Sequence, residues 1–403
     1  VTEVSFANLV IVAAAAFAAP LALGLIPNLR FPAVVLEILL GIAVGPSGLQ
    51  WVTADLPVQV LALAGLAFLL FLAGLDVDLE RLRGQLLRLA GLGFVLSLGL
   101  ALSAGYALRL AGQVRSALIV GIVLSGTALG LVAPVLEDAG QSEGDFGQLV
   151  LAGATIANVG SVILLSVFFS GKAAGTGAKL VLVGSFMALA AAIGLALARA
   201  GRSTTLPGVL ARLQDTTAQI RVRGAVLLLI GLVGLAERFG LATILGAFMA
   251  GVILRIVDRD TADHANFRMK LEGIGYGFVI PVFFVSSGLQ FNLSALSSSA
   301  STLILVPIFL VALILVRGIP ALLYRHVLGG RLTIAAGLLQ ATQLTFIVAA
   351  VQIGTSLGQI TAATGAALIG AGLLSVMIFP LLALMLLGVR EQRESGYEQQ
   401  CAP

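Results

Sequence analysis

Long apolar runs separated by short polar connections dominate the chain. They fall near 6–26, 31–46, 56–76, 83–111, 114–138, 145–171 and 175–200, then near 220–237, 239–257, 272–290, 299–328, 330–353 and 358–388. About 20 apolar residues carry a helix across the ~30 Å hydrocarbon core of a bilayer. In lipid every backbone N–H and C=O needs an internal partner, and these runs do not alternate as barrel strands do. Each is therefore predicted to be a helix. The pattern predicts an all-α polytopic membrane protein with about 13 transmembrane helices. The first run lacks a basic leader and a small-residue cleavage site, so it reads as a span and not as a signal peptide.

The charges sit in the connections and orient the chain. Seventeen of the 23 Lys and Arg fall on the odd-numbered connections and the tail, five on the even ones (Arg109, Arg115, Lys172, Lys179 and Arg238), and Arg317 lies inside a span. Cytoplasmic loops are the ones rich in Lys and Arg, so the N-terminus is expected outside and the C-terminus inside. The more polar stretch 201–219, with Pro207, Arg212 and Asp215, predicts an amphipathic linker helix lying at the interface.

Composition narrows the function classes. Hydrophobic residues make up 59% of the chain and charged ones 10%, and the mean hydropathy is +1.10. That excludes a soluble globule and a disordered chain, and the net charge of +4 forms no basic face for nucleic acid. The lone cysteine, Cys401, and the two histidines, His264 and His326, leave no basis for a zinc or haem cofactor. Asp263-His264 reads as a loop cap. No Ser/His/Asp set, HExxH or phosphate loop is evident, so no catalytic residue is assigned and no enzyme is expected.

Polar residues and helix breakers at membrane depth are expensive, and they carry the functional argument. Ser125-Gly126-Thr127 interrupts the fifth run, with Gly130 and Pro134 beyond it. A broken helix exposes carbonyls to a cation or a half-helix N-terminus to an anion; the plain alternative is a kink with small-residue packing. Asn158 sits midway along the sixth run, with Thr155 and Ser161 three residues to either side, as part of a site or as hydrogen-bonding glue between helices. Arg317 is eight residues from Arg325, about 12 Å along a helix, too far to reach headgroups easily. It is expected to face water or a partner. Gln340-Ala341-Thr342-Gln343-Leu344-Thr345 interrupts the twelfth run. Of the acids, Glu237 beside Arg238 reads as a solvated pair, Glu272 as a helix-start residue, and Asp76 to Arg83 as a solvated connection. Glu37, about five residues into a short span, is left open.

Five segments, in order, resemble one family. They are Pro32–Pro46 (PAVVLEILLGIAVGP), Phe68–Leu79 (FLLFLAGLDVDL), Leu124–Gly130 (LSGTALG), Glu237–Leu254 (ERFGLATILGAFMAGVIL) and Val279–Leu289 (VIPVFFVSSGL). Together they resemble the Kef-type and NapA-type monovalent cation:proton antiporters. The resemblance implies two inverted repeats with two crossing broken helices, and a homodimer. It implies a dimerisation domain from 1–82 and 220–298, a core domain from 83–171 and 299–388, a linker at 172–219 and a cytoplasmic tail at 389–403.

The same resemblance assigns K+ or Na+ and H+ as substrates. The monovalent cation would lie at Asn158 and Thr127, with Ser125, Arg317, Thr342 and Gln343 around them. One departure stands out: the family carries an aspartate where this chain has Asn158, and an amide cannot titrate. That implies a chain held inactive or locked, or one whose proton is taken by another acid. Regulated Kef proteins add a nucleotide-binding domain, so gating here would call for a separate regulatory subunit. Two rivals are an anion or organic-acid carrier using Arg317, and a non-transporting sensor or regulatory subunit. Membrane lipid is the surrounding partner in every case.

Overall fold

The computed structural model describes residues 5–25, 32–77, 84–169, 176–201, 219–257, 264–297 and 300–387. The expected interfacial helix, Asp78 to Arg83, Asp263 and the C-terminal tail lie outside these residues, as does the side chain of His264.

All regular structure among the described residues is helical. In chain order the helices are α1 (Ala7–Leu25), α2 (Ala33–Val44), α3 (Leu56–Leu75), α4 (Gly84–Leu110), α5 (Ala117–Ser125), α6 (Leu129–Asp138), α7 (Asp145–Phe169) and α8 (Thr176–Gly201). There follow α9 (Ile220–Arg238), α10 (Thr243–Val257) and α11 (His264–Ile274), which passes through a π turn, Gly275–Val279, into α12 (Ile280–Leu289). The last are α13 (Leu293–Ser297), α14 (Ala300–Leu303), α15 (Leu305–Ala321), α16 (Arg325–Ala341), α17 (Thr345–Ser356) and α18 (Ala362–Leu387). Nine helical segments of the described residues are long and apolar enough to cross a membrane, while α2 and α10 are apolar but shorter. Helix starts follow local chemistry. Asp55 caps α3 by accepting the Val58 N–H at 3.3 Å, and its other oxygen accepts from Asn8 Nδ2 at 2.9 Å.

The chain divides into two compact units, and the division falls within α7 after Ser161. The first comprises 1–77 and 162–291. Its helices meet backbone to backbone at glycines. A Cβ on Gly41 would strike the Val285 carbonyl, one on Gly288 the Ile38 carbonyl, and one on Gly65 the Val279 carbonyl. Gly74 and Gly251 meet the Phe248 and Phe71 carbonyls in the same way. Small residues permit this approach where lipid supplies no hydrophobic drive between helices.

At one end of this unit Arg268 Nη2 pairs with Asp76 Oδ1 and Arg268 Nε with Glu272 Oε1, both at 2.6 Å. Two expectations change. Asp76 belongs to an ion-pair network instead of a merely solvated connection. Glu272 lies well inside α11, which starts at His264, because paired charges let the helix run on beyond the apolar stretch.

The second unit comprises 78–161 and 292–403. Its apolar core gathers Leu129, Val132 and Leu136 of α6, Phe146 and Leu149 of α7, and Ala335 and Leu339 of α16. The expected boundary between the runs ending near 328 and starting near 330 falls on Gly329, whose φ of 76° turns the chain sharply inside α16. The short α13 occupies a connection that the apolar pattern leaves as loop.

The glycine contacts make a test of packing. Gly288→Val is expected to destabilise the protein by about 1–3 kcal/mol through overpacking. Gly99→Ala, on α4 with nothing within 4 Å, should be neutral. Thermal unfolding of the detergent-solubilised protein measures both.

Candidate functional site: two interrupted helices in one unit

Helix α5 stops at Ser125, residues 126–128 are non-helical, and α6 resumes at Leu129. In the same unit α16 stops at Ala341, residues 342–344 are non-helical, and α17 starts at Thr345. Each interruption frees main-chain groups that a continuous helix would satisfy. They are largely satisfied by each other. The Ala128 N–H donates to the Thr342 carbonyl at 3.0 Å, and Thr127 Oγ1 donates to the Gln340 carbonyl at 2.7 Å. Gln343 Nε2 donates to the Val123 carbonyl at 2.7 Å, and the Gln343 N–H donates to Ser375 Oγ at 3.1 Å. The Ser375 proton faces the carbonyls of Gly372 at 2.7 Å and Gln343 at 3.0 Å. Ser125 Oγ donates to the Ile122 carbonyl at 2.9 Å and lies 3.2 Å from Ser161 Oγ.

Arg317 is 1% exposed and turned into the unit. Its Nε donates to the Gln340 carbonyl at 3.4 Å and its Nη1 to Ser97 Oγ at 3.0 Å. Its Nη2 donates to the Gly153 carbonyl at 3.3 Å and to Gln340 Oε1 at 3.4 Å. Gln340 Nε2 in turn donates to Tyr324 Oη at 3.2 Å. The guanidinium thus binds α4, α7 and the last turn of α16, all through neutral oxygens.

Helix α7 touches both halves of the arrangement, with Gly153 at the Arg317 end and Ser161 at the α5 end. A Cβ on Gly153 would press on the ends of two side chains, Gln340 Nε2 and Tyr324 Oη, which would have to shift to admit it. Asn158 lies between these anchor points at 6% exposure. Neither its amide nor the Thr155 hydroxyl one turn earlier makes a hydrogen bond among the described residues. Gln343 Oε1 is sealed from solvent and also unpaired. Thr342 Oγ1 donates back to the Leu338 carbonyl at 3.1 Å. Among the described buried residues of this unit Arg317 is the only charge, and none is a carboxylate. No grouping of three or more His, Cys, Asp or Glu suited to a metal ion occurs among the described residues.

All six residues singled out from sequence therefore lie in this unit. Ser125, Thr127, Thr342, Gln343 and Arg317 are joined to the two breaks by hydrogen bonds, and Asn158 lies on the helix that touches both. Ser97, Tyr324 and Ser375 were missed. A lone hydroxyl in an apolar run carries no distinguishing signal, as the exposed Ser103 on the same helix as Ser97 illustrates.

Fold and site together define an all-helical polytopic membrane protein with two mutually bonded helix interruptions. Residues 13–385 match the family described as sodium/hydrogen exchanger, transmembrane, and the chain belongs to that family. It is accordingly a transporter-family protein and not an enzyme. It is 32% identical over 405 residues to the putative Na(+)/H(+) antiporter YjbQ of Bacillus subtilis, matching 97% of this chain but only 64% of that protein. With the probable Na(+)/H(+) antiporter 3 of Methanocaldococcus jannaschii it shares 27% identity, over 83% of this chain and 86% of that one. Its fold resembles that of the sodium proton antiporter MjNhaP1 from the same archaeon, solved at pH 8. The TM-score is 0.68 at 19% identity, over 94% of this chain and 99% of that one.

The arginine network yields a stability prediction. Arg317→Lys keeps the charge but cannot serve four acceptors spread over three helices. It should cost about 1.5–3 kcal/mol, the worth of a hydrogen bond to a charged group. A lowered unfolding temperature in detergent would register it.

Proposed function

We propose that this protein exchanges a monovalent cation, K+ or Na+, for H+ by alternating access. In this reading α5–α6 and α16–α17 are the crossing broken helices of two inverted repeats. The unit holding them is the moving core, and the other unit is the scaffold of a homodimer. The observation that carries the reading is the kind of atom left over at the breaks. Each group left unpaired carries an acceptor oxygen: Gln343 Oε1 at the second break and, on α7, the Asn158 amide, whose NH2 is unpaired too, and the Thr155 hydroxyl. Such oxygens can replace part of a cation's hydration shell.

The family relationship and the names of the relatives support the same direction. The carrier alternative needs Arg317 to offer donors to a carboxylate. Four of its N–H groups are already directed at Ser97, Gly153 and Gln340, which weighs against it.

Within this reading Asn158 helps coordinate the ion without changing its own charge, and Arg317 holds the second break open while opposing overly tight cation binding. Thr127 and Ser125 act mainly by fixing the first break, since their hydroxyls are already engaged.

The purified protein in liposomes with a trapped pH dye tests this. A pulse of K+ or Na+ is expected to evoke a proton signal, and Asn158→Leu should abolish it. Absence of a signal from both the unaltered protein and Asn158→Asp would overturn the reading.

A further inference from the structure

The core unit presents a chemical gap. An exchanger that returns a proton needs a group that binds and releases one, and an asparagine amide does neither near neutral pH. The described buried residues of that unit contain no carboxylate at all. A buried carboxylate does exist elsewhere in the molecule. Glu37 on α2 is only 5% exposed, although α2 is otherwise apolar. It lies beyond the first turn of α2, so it is not one of the end residues that a helix dipole favours.

Its surroundings offer the charge nothing. Glu37 shares a face with Gly41, four residues on, and that face packs on α12, where Gly41 meets the Val285 carbonyl. Among the described residues the helices packed most closely on α2 are α1 and α12, and neither contains a charged or titratable side chain. The neighbouring packing cluster is Val12, Ala15, Val44, Val58, Val282 and Val285. No hydrogen bond or ion pair reaches the Glu37 carboxyl among the described residues. Acids retained without a partner at membrane depth are costly, and structural ones are ordinarily paired. The acid Asp76 of the same unit is paired in that way, to Arg268. With no cation beside it, Glu37 can shed its charge only by taking up a proton.

We infer that Glu37 is a proton-binding site of this transporter, supplying the titrating group that Asn158 does not. The inference rests on the antiporter reading for its role in exchange, though not for proton binding itself. The carboxylate accepts one proton to become a neutral carboxyl group and returns it when the cycle changes its access to water. Coupling follows from linkage: if cation occupancy alters the proton affinity of Glu37, protonation alters cation affinity by the same factor.

Two measurements on the full chain test this. In the pH-dye liposomes, Glu37→Gln should abolish the cation-evoked proton signal, while Glu37→Asp should keep it with a displaced pH profile. In infrared difference spectra of the detergent-purified protein, acidification should produce a protonated-carboxyl C=O band that K+ or Na+ diminishes and that Glu37→Gln lacks. An unchanged thermal transition and monodisperse elution of Glu37→Gln would establish that it folds.

Proton exchange by Glu37→Gln at the unaltered rate, or survival of the infrared band in that variant, overturns the proposal and leaves the antiporter reading standing. Should the unaltered protein move no protons in liposomes, the antiporter reading fails instead. The infrared band alone then decides whether Glu37 binds a proton.

Discussion

Everything in the second unit depends on how the backbone is satisfied where two helices are interrupted inside an apolar bundle. An unpaired amide or carbonyl in such surroundings costs several kcal/mol. The interruptions are tolerated because they complete one another. The Ala128 N–H reaches Thr342, the Thr127 hydroxyl reaches Gln340, and the Gln343 side chain reaches back to Val123. Each break supplies hydrogen-bond partners to the other, so a change in one disturbs the backbone of both. The same economy leaves very few polar atoms unpaired, Gln343 Oε1 among them.

Charge is handled by the same logic. A guanidinium withdrawn from water is normally matched by a carboxylate. Here it is matched by distributed dipoles, with acceptors from Ser97, Gly153 and Gln340. Neutral acceptors compensate its desolvation without cancelling its positive field. The unit therefore keeps a permanent positive centre at the base of its second break. An ion binding nearby would meet carbonyl dipoles and a repulsive background together, a combination suited to weak, reversible occupancy.

Much of this was legible in the sequence, for identifiable reasons. The apolar runs marked most helices to within a few residues, because length and hydropathy are strong constraints in lipid. Both interruptions were legible because Ser125-Gly126-Thr127 and Gln340 to Thr345 place polar groups where lipid would reject them. Arg317 stood out on the same ground. What was not legible is partnership. Nothing in the pattern tied Ser375 to Gln343 or Tyr324 to Gln340, since those pairs are set by tertiary packing between distant segments. The start of α11 at His264 was hidden as well, because its first turns are charged and are held by the pairing of Arg268 with Asp76 and Glu272. Glu37 was visible but uninterpretable until the helices beside it were known to be free of charge.

The glycine seams of the first unit have a mechanical corollary. Where Gly41 faces Val285 and Gly288 faces Ile38, main chain lies against main chain with no side chain between to bend or swivel. Sliding α2 along α12 by a single residue would drive a leucine or isoleucine into a slot shaped for hydrogen. Those helices are therefore keyed like teeth on a rack. They can tilt as a block, but they cannot creep, and stress imposed on one is handed to its neighbour almost undiminished.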